Sequence, residues 1–192
     1  MGRLRYGMLV SLDGFIEDAS GSTDWMVVDE ELHGFTSEQD RTVGTRVYGR
    51  ALWETMRYWQ SPPEEDLHAP EIREFAQTWQ DTDKVVVSTT LAPPSEPRTE
   101  LWDHLDLDRL AALARDSELD VEIGGPTLAA HALEAGLVDE LTAYVMPHLA
   151  GGGRPWLPPG FTAPLALRRQ HTFASGALAL VYDVVHEGHA TR

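Results

Sequence analysis

Residues Val121 to Leu141 read Val-Glu-Ile-Gly-Gly-Pro-Thr-Leu-Ala-Ala-His-Ala-Leu-Glu-Ala-Gly-Leu-Val-Asp-Glu-Leu. A short β-branched run halts at the pair Gly124-Gly125, Pro126 opens an Ala/Leu-rich segment, and Gly136 closes it. The grammar is strand, tight turn, helix, stop. Glycines at a strand-to-helix turn allow close approach of backbone to a ligand, and the free N–H groups of the following helix favour an anion such as phosphate. A glycine pair also ends strands simply because the chain must turn. Neither the third Gly of a Rossmann fingerprint nor a Gly-Lys-Ser/Thr follows, so any nucleotide bound here is held outside those two folds.

Downstream, Leu141 to Leu149 reads as a strand, Gly151 to Pro159 as a Gly/Pro-rich loop, and Leu165 to Phe173 with Leu178 to Val185 as a hairpin around Ala174-Ser175-Gly176-Ala177. Upstream, Leu107, Leu110, Leu113 and Ala114 recur at helical spacing, after a Pro-rich loop from Ala92 to Pro97. Lys84 to Ser88 is a Val-rich run suited to a strand covered on both faces. Glu71 to Trp79 and a segment beginning at Asp29 have helical periodicity, with Leu32 and Phe35 inward. Val43 to Gly49 reads as a strand that hands over at Arg50 to a short helix, and Ser61 to Ala69 is an exposed connection. Residues 3 to 12 alternate, with Leu4, Tyr6, Met8, Val10 and Leu12 on one face and Arg3, Arg5 and Ser11 on the other. A polar loop runs from Asp13-Gly14 to Trp25. Strands alternate with helices as far as Leu137 and then run without them. The expected class is therefore α/β, a mostly parallel central sheet flanked by helices and finished by antiparallel C-terminal strands, in a single domain over residues 1–192.

The chain has 192 residues and no cysteine, which excludes disulfides, thiolate metal sites and a Cys nucleophile. With no bilayer-length apolar run and no signal-peptide core, a cytoplasmic protein is expected. A formal charge of -16 opposes binding to nucleic acid or anionic membranes and favours a small-molecule substrate. An anionic ligand would then need a locally positive site, which directs attention to individual arginines. His186 and His189 lack the carboxylate pattern of a zinc hydrolase, and no metal is expected.

Arg50 follows Gly49 at a strand-to-helix junction. It is either a solvated surface residue or a phosphate clamp, since a guanidinium beside helix N–H groups binds anions well. Ser88, Thr89 and Thr90 end another strand with hydroxyls that either cap the turn or meet phosphate oxygens. In an open α/β sheet the C-terminal strand ends line one edge, so these ends and the Gly124-Gly125 turn can serve one ligand together.

Ser11-Leu12-Asp13-Gly14-Phe15-Ile16, Tyr48-Gly49-Arg50-Ala51-Leu52-Trp53-Glu54, Lys84-Val85-Val86-Val87-Ser88-Thr89-Thr90-Leu91 and Ile123-Gly124-Gly125-Pro126 resemble, in order and spacing, the RibD C-terminal domain family. These are dihydrofolate-reductase-like reductases related to riboflavin biosynthesis. The likeness includes Val138-Asp139-Glu140-Leu141 and the Gly-rich loop after His148, and so spans nearly the whole chain. It implies a dihydrofolate-reductase-like fold with an extended dinucleotide, usually NADPH, across the strand ends. Gly124, Gly125, Pro126, Thr127 and Leu128 would face the pyrophosphate. Gly49, Arg50, Ser88 and Thr89 would hold the adenosine phosphate, and Leu9 and Ile16 would lie nearer the nicotinamide. It further implies a cis Gly124-Gly125 peptide and a homodimer. Leu52 stands where dihydrofolate reductases carry a phosphate-binding Thr, and Thr89 where many relatives carry Arg, so NADH stays a candidate beside NADPH.

Hydride transfer requires a positioned nicotinamide and a proton for the atom that gains charge. Asp13 and Glu30 are the acid candidates, with His33 a further donor, although Asp29 and Glu30 also suit an N-cap and a first helical turn, and Asp13 a turn. Trp25, His33, Tyr58 and Trp59 are expected near a planar substrate. The activity expected is reduction of a C=N or C=O bond in a small heterocycle or sugar-derived imine. With no preceding deaminase domain the chain would supply only the reductase half of a bifunctional riboflavin enzyme. The alternatives are a non-catalytic nucleotide-binding protein and a true dihydrofolate reductase.

Overall fold

The computed structural model describes residues 1–186, so His189 lies outside the described residues. The elements are β1 (Leu4–Ser11), β2 (Phe15–Glu17), α1 (Glu30–Asp40), β3 (Val43–Gly49), α2 (Arg50–Met56), α3 (Pro70–Asp81), β4 (Asp83–Val87), β5 (Thr99–Trp102), α4 (Leu107–Asp116), β6 (Asp120–Gly124), α5 (Pro126–Glu134), β7 (Glu140–Met146), β8 (Arg154–Pro155), β9 (Leu165–Thr172) and β10 (Leu178–Val184). The sheet runs β5-β4-β3-β6-β1-β7-β10-β9, parallel from β5 to β7 and antiparallel thereafter. This is the mixed sheet read from the pattern, with the helix-free C-terminal hairpin at one edge.

Alternation in β1 decides what each face meets. Leu4 and Tyr6 join Val47, Val121, Ile123 and Leu141 under α4 and α5. On the other face Leu9 packs with Tyr144, Leu32 and Phe35 beneath α1, while Tyr48, Val86, Trp53 and Trp79 form a cluster with α2 and α3. The N-cap of α1 is Asp29, which accepts from Leu32 N–H at 2.8 Å. Asp106 caps α4 in the same way, accepting from Arg109 N–H at 3.0 Å. Each such cap satisfies an otherwise unpaired first-turn donor and contributes about 1 kcal/mol.

Three short strands depart from the expectation. β5 emerges from what reads as the tail of a Pro-rich loop, and β2 and β8 pair across the two loops that follow β1 and β7. Their brevity leaves no periodicity to read; pairing with a distant segment creates them. Leu12 is a correction: β1 ends at Ser11 and Leu12 is 66% exposed.

The polar face of β1 is not solvent-facing either. Register places Lys84, Arg46, Glu122, Arg5, Glu140 and Asp183 in one row across β4, β3, β6, β1, β7 and β10. Arg46 lies 2.7 Å from Asp40 and 2.6 Å from Glu122, and Arg5 Nε is 2.9 Å from Glu140. Opposite charges on the inner strands β3, β6, β1 and β7 keep these groups paired near the starts of the strands, under the C-terminal end of α1, while Lys84 and Asp183 end the row beside like charges.

Candidate active site

The site forms where β3, β4 and β6 deliver their C-terminal ends to one edge. Tyr48 is in register with Gly124, and Gly49 with Val87. Gly124 has no room for a side chain: a Cβ there would stand 2.6 Å from Leu52 Cδ2 and 2.8 Å from the Tyr48 ring. Gly125 has φ +88°, a conformation that favours glycine, and is the N-cap of α5 without a capping side chain. The two glycines therefore do different work, one for packing and one for the turn. Leu52, the departure from the dihydrofolate reductase pattern, fills the space over Gly124. The expected cis bond is a correction: the Gly124-Gly125 peptide is trans, and the positive φ of Gly125 reverses the chain instead.

The first turn of α5 lies against β3, with Leu128 3.7 Å from where a Gly49 Cβ would be. Its early N–H groups have no side-chain cap, and Pro126 contributes none. Arg50, exposed at the start of α2, donates to Thr90 Oγ1 at 3.2 Å, while Ser88 Oγ accepts from Thr90 and Leu91 N–H at 3.2 and 3.1 Å. The strand ends of β3 and β4 are thus joined by a guanidinium and two hydroxyls. Thr89 is exposed beside them.

Sequence reasoning missed Arg154. Pairing of β2 with β8 brings it to α5, where Nη2 donates to Thr127 Oγ1 at 2.7 Å. Among the described residues it is the one exposed Lys or Arg with no carboxylate within ion-pair distance. A charged side chain inside a Gly/Pro-rich loop was the available signal.

Asp13, an acid candidate by sequence, lies at a contact between two loops. Its carboxylate accepts from Ala150 and Gly151 N–H at 3.0 and 2.7 Å, latching the β1–β2 loop to the loop after β7. The Ser11 hydroxyl first, then those backbone donors, hold its pKa down at about 2, so it is an ionised acceptor at neutral pH. Glu30 is exposed in the first turn of α1, while its neighbour Glu31 accepts from Ala174 N–H at 2.8 Å and sits 3.2 Å from His171. His33 is half-buried, which pushes its pKa down, and its Nδ1 has no partner. It meets Phe75 edge-on; Phe75 in turn meets Trp59, and Trp59 meets Tyr58, so His33, Trp59 and Tyr58 share one aromatic chain. Trp25 is separate from that chain: it stacks on His148 at 5.1 Å and packs toward the Leu9 cluster. Ile16 is buried with Val10 and Ala143.

Two clefts, of about 530 and 550 Å³, lie elsewhere. One opens among Asp40, Gly44, Asp83 and Leu119 at the starts of the strands, and the other between Leu133 and Pro164. Neither touches the strand-end residues, whose donor set is what fits an anionic ligand. Among the described residues no cluster of His and acids is placed to hold a metal ion, and no helix is long and apolar enough to cross a membrane.

A mostly parallel sheet with antiparallel C-terminal strands, flanked by helices, matches the dihydrofolate-reductase-like class of α/β proteins. Residues 3–180 match the RibD C-terminal domain, and the chain belongs to that family, a family of reductases. YyaP of Bacillus subtilis (strain 168) is 28% identical over 182 residues, covering 94% of each chain. A pyrimidine reductase-like protein from Corynebacterium diphtheriae superposes with TM-score 0.70 at 16% identity, over 97% of this chain and 93% of that one. A Thermotoga maritima diaminohydroxyphosphoribosylaminopyrimidine deaminase/5-amino-6-(5-phosphoribosylamino)uracil reductase gives TM-score 0.64 at 13% identity, over 96% of this chain and 57% of that one. The solved structures share the fold.

Proposed function

We propose that this protein is a cytoplasmic NADPH-dependent reductase acting on a C=N or C=O bond of a small heterocyclic or sugar-derived compound. The observation that carries the reading is the pair of guanidinium groups at the strand ends, Arg50 on Thr90 and Arg154 on Thr127, in a chain of charge -16. An acidic protein that holds two exposed arginines against hydroxyls at one sheet edge has built a local anion site against its own field. Arg154, Thr127 and the first turn of α5 suit the pyrophosphate; Arg50, Ser88 and Thr90 suit the adenosine phosphate. The dinucleotide, when bound, supplies the hydride. The chain's part is to hold it in place and to deliver a proton, for which Glu30 and His33 are the remaining side chains.

Titration with NADPH and NADH, followed by nicotinamide fluorescence, tests the reading. Arg154→Ala is expected to weaken both nucleotides alike, by about tenfold or more, as loss of a charged hydrogen bond to a shared pyrophosphate would. Arg50→Ala is expected to weaken NADPH more than NADH, and equal weakening would remove Arg50 from the extra phosphate. Failure of the unaltered protein to bind either nucleotide would end the proposal. A homodimer is part of the proposal; the free edge at β9, where Leu165 and Leu167 are 43% and 52% exposed, is open to such pairing, and light scattering would measure the mass.

A further inference from the structure

We infer that the substrate carries no phosphate and is an uncharged or cationic planar heterocycle; this rests on the reductase reading above. The residues expected near the substrate, Trp25, His33, Tyr58 and Trp59, lie in the segment from the β1–β2 loop into α1 and just after α2, and the loop between β7 and β8 joins them through His148, on which Trp25 stacks. No Lys or Arg occurs between Tyr6 and Asp40, between Tyr58 and Ile72, or between Asp116 and Gly153. The cations flanking these stretches are engaged elsewhere: Arg41 with Glu74, Arg57 with Glu96, and Arg73 with Glu64 and the Leu67 carbonyl. Arg5 belongs to the buried charge row, and Arg154 reaches the α5 terminus on the cofactor side. Acids recur through the same walls, with Asp29, Glu30 and Glu31 at the start of α1. A phosphate monoester would meet no countercharge there and would be repelled by the whole protein.

What the walls present instead is apolar and flat. Leu12 N–H donates to the His148 carbonyl at 2.8 Å, joining the two loops, and Trp25 stacks on the same His148. Leu12 and Leu149 are each 66% exposed, and Val27, just beyond Trp25, 65%. Large exposed aliphatic side chains on the segments that carry an aromatic stack suit contact with an apolar ligand face. Trp25 Nε1 and His33 Nδ1, both shielded and without partners, add neutral polar groups. The Thermotoga maritima reductase, by contrast, is named for a phosphoribosylamino substrate.

The test uses the full chain saturated with NADPH, once nucleotide binding has been shown, so that failure of the cofactor reading is seen first and separately. Calorimetry then compares 5-amino-6-ribosylaminouracil with its 5′-phosphate. The unphosphorylated compound is expected to bind at least tenfold more tightly, with a gap that narrows as salt is raised. Val27→Arg, which adds a cation at the rim, is expected to tighten the phosphate severalfold. Equal or tighter binding of the phosphate by the unaltered protein overturns the inference while leaving the reductase intact, and binding of neither compound overturns it as well.

Discussion

Arg46→Met is expected to lower stability by about 3–5 kcal/mol near pH 8, the range for removing one partner from a buried ion pair. Arg46 is 4% exposed and stands between Asp40 and Glu122, so the Met variant leaves two carboxylates facing each other without the guanidinium that bridges them. The deficit should depend on pH in a definite direction. Burial pushes the Asp40 pKa up to about 6, against the pull of Arg46, and the fold therefore favours its protonated form. That preference favours folding below the unfolded carboxylate pKa, and the contribution is lost as pH rises through about 6. Removing Arg46 raises the folded pKa further. Acidification to pH 5 neutralises Asp40 and should shrink the deficit. Urea unfolding of both proteins at pH 5 and pH 8 measures the difference, and an equal deficit at the two pH values would show that Asp40 is not the charge left exposed.

Gly153→Ala is expected to cost little global stability and most of the cofactor affinity. Gly153 has φ +126°, and an added Cβ would stand 2.0 Å from the Glu17 carbonyl oxygen, a backbone atom with no rotamer to escape through. The β2–β8 pair must separate to admit it. Only a few residues pair there, so a fall in stability of about 1–3 kcal/mol is anticipated, in the range of overpacking. Arg154 is the next residue, however, and its hold on Thr127 depends on that pairing. NADPH affinity should fall by about tenfold or more, as for Arg154→Ala. If Gly153→Ala loses affinity but Arg154→Ala does not, the loop itself and not the guanidinium would be the cofactor contact.

Much of the candidate site was legible because its pieces are local. A Gly pair before Pro126, an Arg after Gly49 and a Ser-Thr-Thr after a Val run are each read within a few residues of themselves, and strand ends in an α/β alternation must share an edge. Asp29 could be read as an N-cap for the same reason. Arg154 escaped because its loop carries no period and its partner Thr127 is 27 positions away. Asp13 is an acid candidate because a carboxylate after a strand is chemically versatile; its contacts to backbone N–H groups 137 and 138 positions distant are not legible locally.

The sequence by itself determined the alternation of strands and helices, the helix caps, the helix-free C-terminal hairpin and the absence of cations from the long stretch before Arg41. Those follow from steric preferences and charges that a residue carries wherever the chain places it. Only the tertiary structure decided that Arg5 and Arg46 lie buried in a row of charged residues across the sheet, that Gly124 serves packing while Gly125 serves the turn, and that Arg154 meets the start of α5. Register across strands and the pairing of two loops are relations between distant segments. A cross-strand neighbour is chosen by the sheet as a whole, so no local pattern encodes it.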